Sequence, residues 1–367
     1  MHKVSLILFL AGLLGPAAVL GRTKPSGAPF SRTVTKTFQV SNGAALDIEN
    51  KYGKVSLTTW NKNEIRAVVT ITANASSEEN ARQLAGQVNI QADQSGNNLV
   101  KLSTTYESGQ NSSFWKRFFG GLSASPGRSV RIDYEVTIPR SLASTNIRNN
   151  YGDVVGSDIP GNVSLSLNYG HFHLSRVGGT LNLNVNYCEG TLSDINGGVI
   201  QGNYTHFQLD QVSNLKIQSN YSDYKIATGT KVDLHANYGN FAADHLGGFT
   251  SRSNYTDYKI ETLGGASDMQ VTYGNIRIGS LAADFSGLNI KGTYGDASVG
   301  VPASRPVRVD VQLVKGDIHV SGLDLQQVER NSNHGNETLS GNSRGAGPDA
   351  PLIKVNGTYT NVSLTRR

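Results

Sequence analysis

A short phrase built around a tyrosine recurs along most of this chain, from Ile147 to Val320. In most copies the tyrosine follows an asparagine and precedes a small residue. Successive tyrosines are 17 or 18 residues apart, with one step of 21, and they are Tyr151, Tyr169, Tyr187, Tyr204, Tyr221, Tyr238, Tyr255, Tyr273 and Tyr294. A fixed period of this length is typical of stacked-repeat proteins, in which one unit cannot bury its apolar face alone. The last copy carries Lys315 in place of the aromatic residue.

Apolar and polar residues alternate on both sides of each tyrosine. The residue four before it is apolar in every copy except at Ser251, and the residue three before it is always polar. Period-two alternation predicts two short strands per coil, each with one buried face, that meet at a corner after the tyrosine. The 41 glycines against 10 prolines suit tight corners, where glycine allows a positive φ. We therefore predict a mostly β fold, a right-handed parallel β-solenoid (β-helix) of 17–18-residue coils over residues 146–324.

The amino-terminal residues indicate export. A basic start at Lys3 precedes an apolar run and small residues up to Gly21, which predicts a secretory signal peptide over residues 1–21. An uncleaved anchor is the alternative. Residues 22–37 are polar with two prolines and predict a flexible lead-in. No later segment is long and apolar enough to cross a bilayer, so we expect no transmembrane span after signal cleavage.

Residues 38–145 predict an N-terminal β region that interrupts the repeat. The repeated phrase is already present around Tyr52, so the solenoid is expected to begin there. Ser76 and Glu79 form a capping-box pattern, and the apolar residues that follow have helical spacing. This pattern predicts a small helix over residues 76–88 that covers one edge of the sheet.

The composition changes again beyond the repeat. Residues 325–350 lack aromatic and nearly all apolar side chains, which predicts a mobile loop. Residues 351–367 restate the repeated phrase and predict a last coil that closes the far end.

The loop at residues 107–128 has the most unusual composition in the chain. It places four aromatic residues beside two cations: Phe114, Trp115, Lys116, Arg117, Phe118 and Phe119. Such residues suit contact with a membrane surface or a partner, so this loop is a candidate contact site. The alternative is a flap that covers the open end of the solenoid, where an exposed sheet edge needs cover.

Acids, amides and imidazoles recur two residues after the tyrosines. They are Asp153, His171, Glu189, His206, Asp223, Asn240, Asp257, Asn275, Asp296 and, in the last repeat, Asp317. Such a column could bind divalent ions or cleave glycosides, but Asp and Asn also favour turns for backbone reasons alone, which is the interpretation we prefer. His171 and His173 lack a third ligand at zinc-binding spacing, and Cys188, the only cysteine, suits a small packed side chain. We expect no catalytic, cofactor or metal site.

Asparagine precedes the tyrosine in seven copies, at Asn150, Asn168, Asn186, Asn203, Asn220, Asn237 and Asn254. Stacked in register, these residues would form an amide ladder beside a tyrosine ladder. Both kinds of ladder fix the register of stacked strands, so we interpret both sets as structural.

Two segments carry a family resemblance: KYGKVSLTTWNKNEI at 51–65 and VRIDYEVTIP at 130–139. Together with the signal peptide, the helix-bearing insertion, the loop around Trp115 and the Asn-Tyr-Gly coils, they resemble the putative-adhesin family of bacterial envelope proteins. This is a domain of unknown function best known from the Bacteroidetes-type cell plan, and the likeness covers roughly residues 38–365. It implies a secreted or surface β-solenoid with an adhesive role, and it supplies no catalytic residues.

We expect an exported, non-enzymatic, adhesin-like protein that binds or scaffolds at the bacterial envelope, in the periplasm, on the outer membrane surface or outside the cell. The expected partners are an envelope or host polysaccharide or a surface protein, and no cofactor is needed. The formal net charge of +5 favours acidic glycans slightly and supports no nucleic-acid binding. Two alternatives stay open, a polysaccharide-active β-helix enzyme and a purely structural or regulatory periplasmic protein.

Overall fold

The computed structural model describes residues 28–106 and 128–367, which form 23 strands and one helix. The strands belong to one sheet that does not close on itself. The predicted mostly β class is therefore confirmed. The predicted signal peptide, the start of the predicted lead-in and the candidate contact residues from Phe114 to Phe119 lie outside the described residues. Within the described ranges, no helix is long and apolar enough to span a membrane.

The N-terminal elements are β1 (Ala28–Gln39), β2 (Ala45–Lys51), β3 (Val55–Trp60), β4 (Glu64–Ala75), α1 (Glu78–Gly86), β5 (Val88–Ser95), β6 (Leu99–Tyr106) and β7 (Ser129–Pro139). The repeats contain β8 (Ser144–Asn150), β9 (Val154–Ile159), β10 (Asn162–Val177), β11 (Leu181–Asn203), β12 (His206–Asn220), β13 (Asp223–Leu263), β14 (Ala266–Thr272), β15 (Ile276–Leu281), β16 (Gly287–Thr293) and β17 (Ala297–Val301). The C-terminal elements are β18 (Arg308–Val314), β19 (Ile318–Ser321), β20 (Leu325–Asn333), β21 (Asn336–Ser343), β22 (Leu352–Thr358) and β23 (Val362–Arg366).

Strands of successive repeats pair in parallel and in register. Leu165 in β10 pairs with Ile147 in β8 on one side and with Leu183 in β11 on the other, and all three side chains are buried. Segments that precede the tyrosines stack on one another, and so do the segments that follow them. Because apolar residues occupy every second position, they line a continuous core along the stack.

The N-terminal part continues this stack with strands that are not consecutive in the chain. β2 pairs in parallel with β8 and β6, and β3 pairs in parallel with β9 and β7. β5 pairs with β6, β4 with β7 and β1 with β4, all antiparallel. The helix α1 packs on β4 and β1 and buries Ala81, Leu84 and Ala85. Antiparallel strands and one helix therefore cover this end of the stack.

The helix is shorter than the predicted range of 76–88, and its N-cap is Ser77 rather than Ser76. The Ser77 hydroxyl accepts a hydrogen bond from the backbone N–H of Asn80 at 3.2 Å. Ser76 instead accepts from the side-chain amide of Asn80 at 3.0 Å. Two adjacent serines offer the same local capping signal, and the structure uses the second one.

The predicted flexible lead-in is wrong from residue 28 onward, because β1 pairs with β4 along all of its 12 residues. Phe30, Val34 and Phe38 lie on one face of this strand and pack, partly buried, against the core. Arg32, on the same face, donates hydrogen bonds to the carbonyl oxygens of Ala85 and Val88 at the end of the helix. Pro25 before the strand, Pro29 within it and the polar residues at most other positions concealed this edge-strand pattern in the sequence.

The predicted mobile loop at residues 325–350 is also wrong, since it contains the hairpin of β20 and β21. β21 pairs antiparallel with β18 at the end of the sheet. The hairpin buries few apolar side chains, among them Leu339. Backbone pairing with a sheet edge, rather than a hydrophobic face, therefore orders this segment, and low hydrophobicity does not reveal such pairing.

Two charged side chains of the hairpin cover the free edge of β19. The backbone N–H of Ile318 donates to Glu337 Oε2 at 2.7 Å, and the carbonyl oxygen of Ile318 accepts from the Arg330 guanidinium at 2.9 Å. Arg330 and Glu337 also form an ion pair. This pair occupies backbone groups that would otherwise be open to another strand.

The coil at residues 351–367 does not close the far end as predicted. β22 lies between β16 and β18, and β23 lies between β17 and β19, with parallel pairing on both sides. β18 and β19 precede these strands in the chain but form the outermost parallel layer. Tyr359 continues the aromatic stack on Tyr294, with ring centroids 4.8 Å apart, and Lys315 takes the outer position.

Candidate binding surface

A ladder of stacked tyrosines follows the corners of the coils. Within the described residues its eleven rings are Tyr52, Tyr151, Tyr169, Tyr187, Tyr204, Tyr221, Tyr238, Tyr255, Tyr273, Tyr294 and Tyr359. Neighbouring ring centroids lie between 4.7 and 5.3 Å apart, so the ladder runs for roughly 50 Å. The structure thus brings together the nine tyrosines assigned to a ladder from the sequence, and it adds Tyr52 and Tyr359 at the ends.

The ring faces of this tyrosine ladder cover one another. Tyr151 and the tyrosines that follow it are still 43–50% exposed, because ring edges and phenol hydroxyls face the solvent. A ligand that needs an open aromatic face therefore finds none between the two ends of the ladder. Hydrogen-bonding groups can reach the row of hydroxyls.

Every ladder tyrosine has a positive φ, between 52° and 67°. Aromatic L-residues rarely adopt this left-handed conformation, which costs roughly 1 kcal/mol or more per residue. A positive φ is ordinarily expected at glycine, so the sequence did not predict it for the tyrosines. No local signal distinguishes such a tyrosine from one in an ordinary strand, because the stacked neighbours that favour the conformation belong to other coils.

The small residue after the tyrosine is required by close approach of the neighbouring coil. A Cβ atom on Gly170 would lie 2.1 Å from the carbonyl oxygen of Gly152. Where a coil carries Cys188 or Ser222 instead, the side chain donates to the carbonyl oxygen two residues earlier, at 3.1 Å and 3.0 Å respectively. Cys188 is therefore a packed corner residue, and burial raises the pKa of its thiol, which disfavours a role as a nucleophile.

Side-chain amides form a second ladder next to the tyrosines. Each asparagine from Asn168 onward donates from Nδ2 to the Oδ1 atom of the asparagine in the preceding coil, over 2.8 to 3.1 Å. This amide ladder consists of Asn150, Asn168, Asn186, Asn203, Asn220, Asn237 and Asn254. Each amide also keeps a second N–H and a lone pair that these bonds do not use.

A groove of about 880 Å³ runs beside the amide ladder. One row of its lining is the amide ladder from Asn203 to Asn254. The other row is formed by the residues three before each tyrosine, which are Asn184, Gln201, Gln218, His235, Arg252, Gln270 and Lys291. Among the described residues, no aspartate or glutamate lines this polar groove. Strand spacing places its hydrogen-bonding groups at regular intervals along roughly 30 Å.

The acids two residues after the tyrosines join neighbouring coils. Asp223 Oδ1 accepts from both the backbone N–H and the side-chain amide of Asn240, each at 2.8 Å. Asp257 accepts the same two bonds from Asn275, at 2.7 and 3.1 Å. These carboxylates therefore join the corners of neighbouring coils.

His171 lies between two carboxylates of the same column, with Nδ1 3.1 Å from Asp153 and Nε2 3.8 Å from Glu189. His173 contacts Ser175 instead, at 3.1 Å, so the two histidines do not converge on one point. In the part of the chain that the structure describes, no group of three His, Cys, Asp or Glu side chains could hold a metal ion.

The family model described as Toastrack DUF4097 matches residues 44–346, and this match confirms the resemblance indicated by the sequence. No curated protein matches the chain. Similar solved structures include a putative adhesin from Parabacteroides merdae, with 12% identity and a TM-score of 0.33, covering 91% of this chain and 96% of that one. A putative adhesin from Bacteroides fragilis has 11% identity and a TM-score of 0.26, covering 92% and 97%. A putative lipid binding protein from Parabacteroides distasonis has 13% identity and a TM-score of 0.31, covering 90% and 96%. Such low values support no statement about function.

Proposed function

Because this chain belongs to the Toastrack DUF4097 family, we propose that it is an exported, non-enzymatic, adhesin-like protein of the bacterial envelope that binds an extended polysaccharide along its polar groove. In this proposal the stack is a parallel solenoid of 17–18-residue coils, and each coil contributes one set of contacts. The observation that carries the proposal is the two parallel rows of polar side chains at constant spacing.

The side chains of the groove have hydrogen-bonding capacity left for a ligand. Gln201 Nε2 lies 3.5 Å from Gln218 Oε1, at the limit of a hydrogen bond. A ligand hydroxyl can replace this weak contact, since each primary amide both donates and accepts. Sugar hydroxyls also donate and accept, so amide rows suit a carbohydrate chain.

The shape of the groove favours a polymer over a small molecule. The lining extends through seven successive coils, from Asn184 to Lys291. A monosaccharide would contact only one or two of these coils. A chain that follows the axis of the stack would repeat the same weak contact at each coil, and linked weak contacts add up to a useful affinity.

The lining also supports a binding role over a catalytic one. Glycoside cleavage uses a pair of carboxyl groups on either side of the scissile bond. The described lining of the groove contains neither aspartate nor glutamate, and Asp223 and Asp257 accept hydrogen bonds from Asn240 and Asn275 of the next coil. Export rests on the signal-peptide pattern of residues 1–21.

The test is binding of the purified protein to a panel of envelope and host polysaccharides by calorimetry, with the reducing ends counted after incubation. We expect saturable binding without chain cleavage, and weaker binding when Gln201→Ala and Gln218→Ala are combined. Gln208→Ala is the matched control, because Gln208 is an exposed glutamine of β12 on the strand segment that follows the corner. New reducing ends would indicate an enzyme. No binding across the panel would contradict the proposal and favour a scaffolding or regulatory role.

A further inference from the structure

Cations are concentrated at one end of the polar groove. The row of residues three before the tyrosines begins with Asn184, Gln201 and Gln218 and continues with His235, Arg252, Gln270 and Lys291. The first part of the row is neutral, and the second part carries two permanent positive charges. No carboxylate of the described lining balances them.

Some cations elsewhere on the stack contact an acid in a neighbouring strand. Arg148 contacts Asp47 at 3.0 Å, and Arg176 lies 3.7 Å from Asp194. Within the described residues, Arg252 and Lys291 form no ion pair and no side-chain hydrogen bond. Asp268 lies on the strand between them, but it accepts a hydrogen bond from Asn289 at 2.8 Å and pairs with neither cation. The two groove cations are therefore available to a ligand.

The spacing of these cations matches a repeat along a polymer. Arg252 pairs in register with Gln270, and Gln270 pairs in register with Lys291. The two cations are thus two strand spacings apart, or about 10 Å at their backbones. Two sugars of an extended polysaccharide cover a similar length, so one charge per disaccharide would meet both cations in turn.

From this juxtaposition we propose that the groove selects an acidic polysaccharide with one carboxylate or sulfate per disaccharide, and that Arg252 and Lys291 determine this specificity. The inference rests on the proposed function and adds the charge of the ligand. The Arg252 guanidinium can bind a carboxylate through two parallel hydrogen bonds, and the Lys291 ammonium supplies a point charge. The amide rows contact the sugar hydroxyls and do not distinguish acidic from neutral chains.

The test compares hyaluronan, an alternating uronate polymer, with the same polymer after chemical reduction of its carboxyl groups. We expect the purified protein to bind hyaluronan roughly tenfold more tightly, with a difference that shrinks as salt increases. Combining Arg252→Gln with Lys291→Gln should abolish the difference by lowering the affinity for hyaluronan to that for the reduced polymer. The control combines Lys225→Gln with Arg277→Gln, two exposed cations on strand segments that follow the corner, and should behave like the wild type.

Each result decides between the two proposals. Equal binding of both polymers, or an unchanged preference in the Arg252 and Lys291 double variant, overturns the charge inference and leaves the proposed function intact. Absence of binding to either polymer and to the wider panel overturns both. Tighter binding to single-stranded DNA than to hyaluronan, lost in the same double variant, would assign the cations to nucleic acid and also overturn the inference.

Discussion

The ring of Tyr52 stacks on the ring of Tyr151, with centroids 5.3 Å apart and planes 10° from parallel. Strands β3 to β8 and the helix lie between these two residues in the chain. The contact therefore joins a corner of the N-terminal region to the first corner of the uninterrupted repeats. One aromatic ladder passes through both parts, so it depends on tertiary structure and not on local sequence alone.

Stacking should stabilise the protein more than the exposed hydroxyls do. Tyr221 lies between two rings, at centroid distances of 4.9 and 4.7 Å. We expect Tyr221→Leu to lower the free energy of unfolding by about 1–3 kcal/mol, because two aromatic contacts are lost while the positive φ remains. Tyr221→Phe keeps both contacts and should change it by less than about 0.5 kcal/mol. Urea denaturation measures the free energy of unfolding of both variants. An equal loss in Tyr221→Leu and Tyr221→Phe would show that the hydroxyl, and not ring stacking, provides the stabilisation.

Gly170, the glycine after Tyr169, should not tolerate a side chain, although other coils accommodate Cys188 or Ser222 at this position. We expect Gly170→Ala to destabilise the protein by roughly 2–3 kcal/mol, because its Cβ would lie 2.1 Å from the carbonyl oxygen of Gly152 in the preceding coil. Gly86→Ala is the matched control, since a Cβ there meets nothing within 4 Å. Thermal melts of both variants provide the measurement. A wild-type melting temperature for Gly170→Ala would mean that the coils can separate at this corner.

The ion pair at the outer edge should prevent association as well as stabilise the fold. Glu337→Ala removes the acceptor for the Ile318 N–H and leaves Arg330 without its acid. We expect a loss of about 1–3 kcal/mol and concentration-dependent dimers, because the edge of β19 becomes open. Light scattering and urea denaturation measure the two effects. Glu329→Ala, an exposed acid in the same hairpin, should have neither effect; a monomeric Glu337→Ala would show that the hairpin backbone alone protects the edge.

Alkaline pH should destabilise the fold through buried tyrosines. Burial raises the pKa of Tyr134 to about 12, although its hydrogen bond with Thr104 partly opposes the shift. The neutral Tyr134 side chain contributes its full stabilisation below pH 10, the ordinary pKa of tyrosine. This contribution is lost between pH 10 and 12, because the phenol proton is released from the unfolded chain at a lower pH than from the folded protein. Each buried tyrosine of this kind should lower the free energy of unfolding by about 1.4 kcal/mol per pH unit between pH 10 and 12. The free energy of unfolding, measured from pH 8 to 12, should fall less steeply with pH for Tyr134→Phe than for the wild type. Equal slopes would show that Tyr134 does not cause the alkaline destabilisation.

The repeat could be predicted from sequence because its evidence is local and recurs many times. The alternation around Leu165 and the polar row that includes Gln218 depend only on counting from the nearest tyrosine. Both predict which side chains are buried and which face the solvent. The polar nature of the groove lining followed in the same way.

Other features depend on contacts that the repeated phrase does not specify. Lys315 and Tyr359 each occupy the tyrosine position in a copy of the repeated phrase. The sequence therefore does not show which of the two coils lies at the end of the stack. In the structure Tyr359 stacks against Tyr294, and the Lys315 ammonium lies 4.8 Å from the centroid of the Tyr359 ring. The sequence also shows that Arg252 is cationic, but only the structure shows that it lacks an ion pair within the described residues.

The position of β22 and β23 has a consequence for how the chain completes folding after it leaves the ribosome. Layers can form in order of synthesis from β8 to β17, since each new strand meets a finished one. The next strands made, β18 and β19, pair with β22 and β23, which are made later. Until β22 and β23 are made, β16 and β17 have an unpaired edge. The hairpin of β20 and β21 cannot cover the end of the sheet before β18 is in place. The last step of folding therefore requires β18, β19, β22 and β23 to assemble together. The nascent protein is most prone to aggregate before this step, while the edge is unpaired.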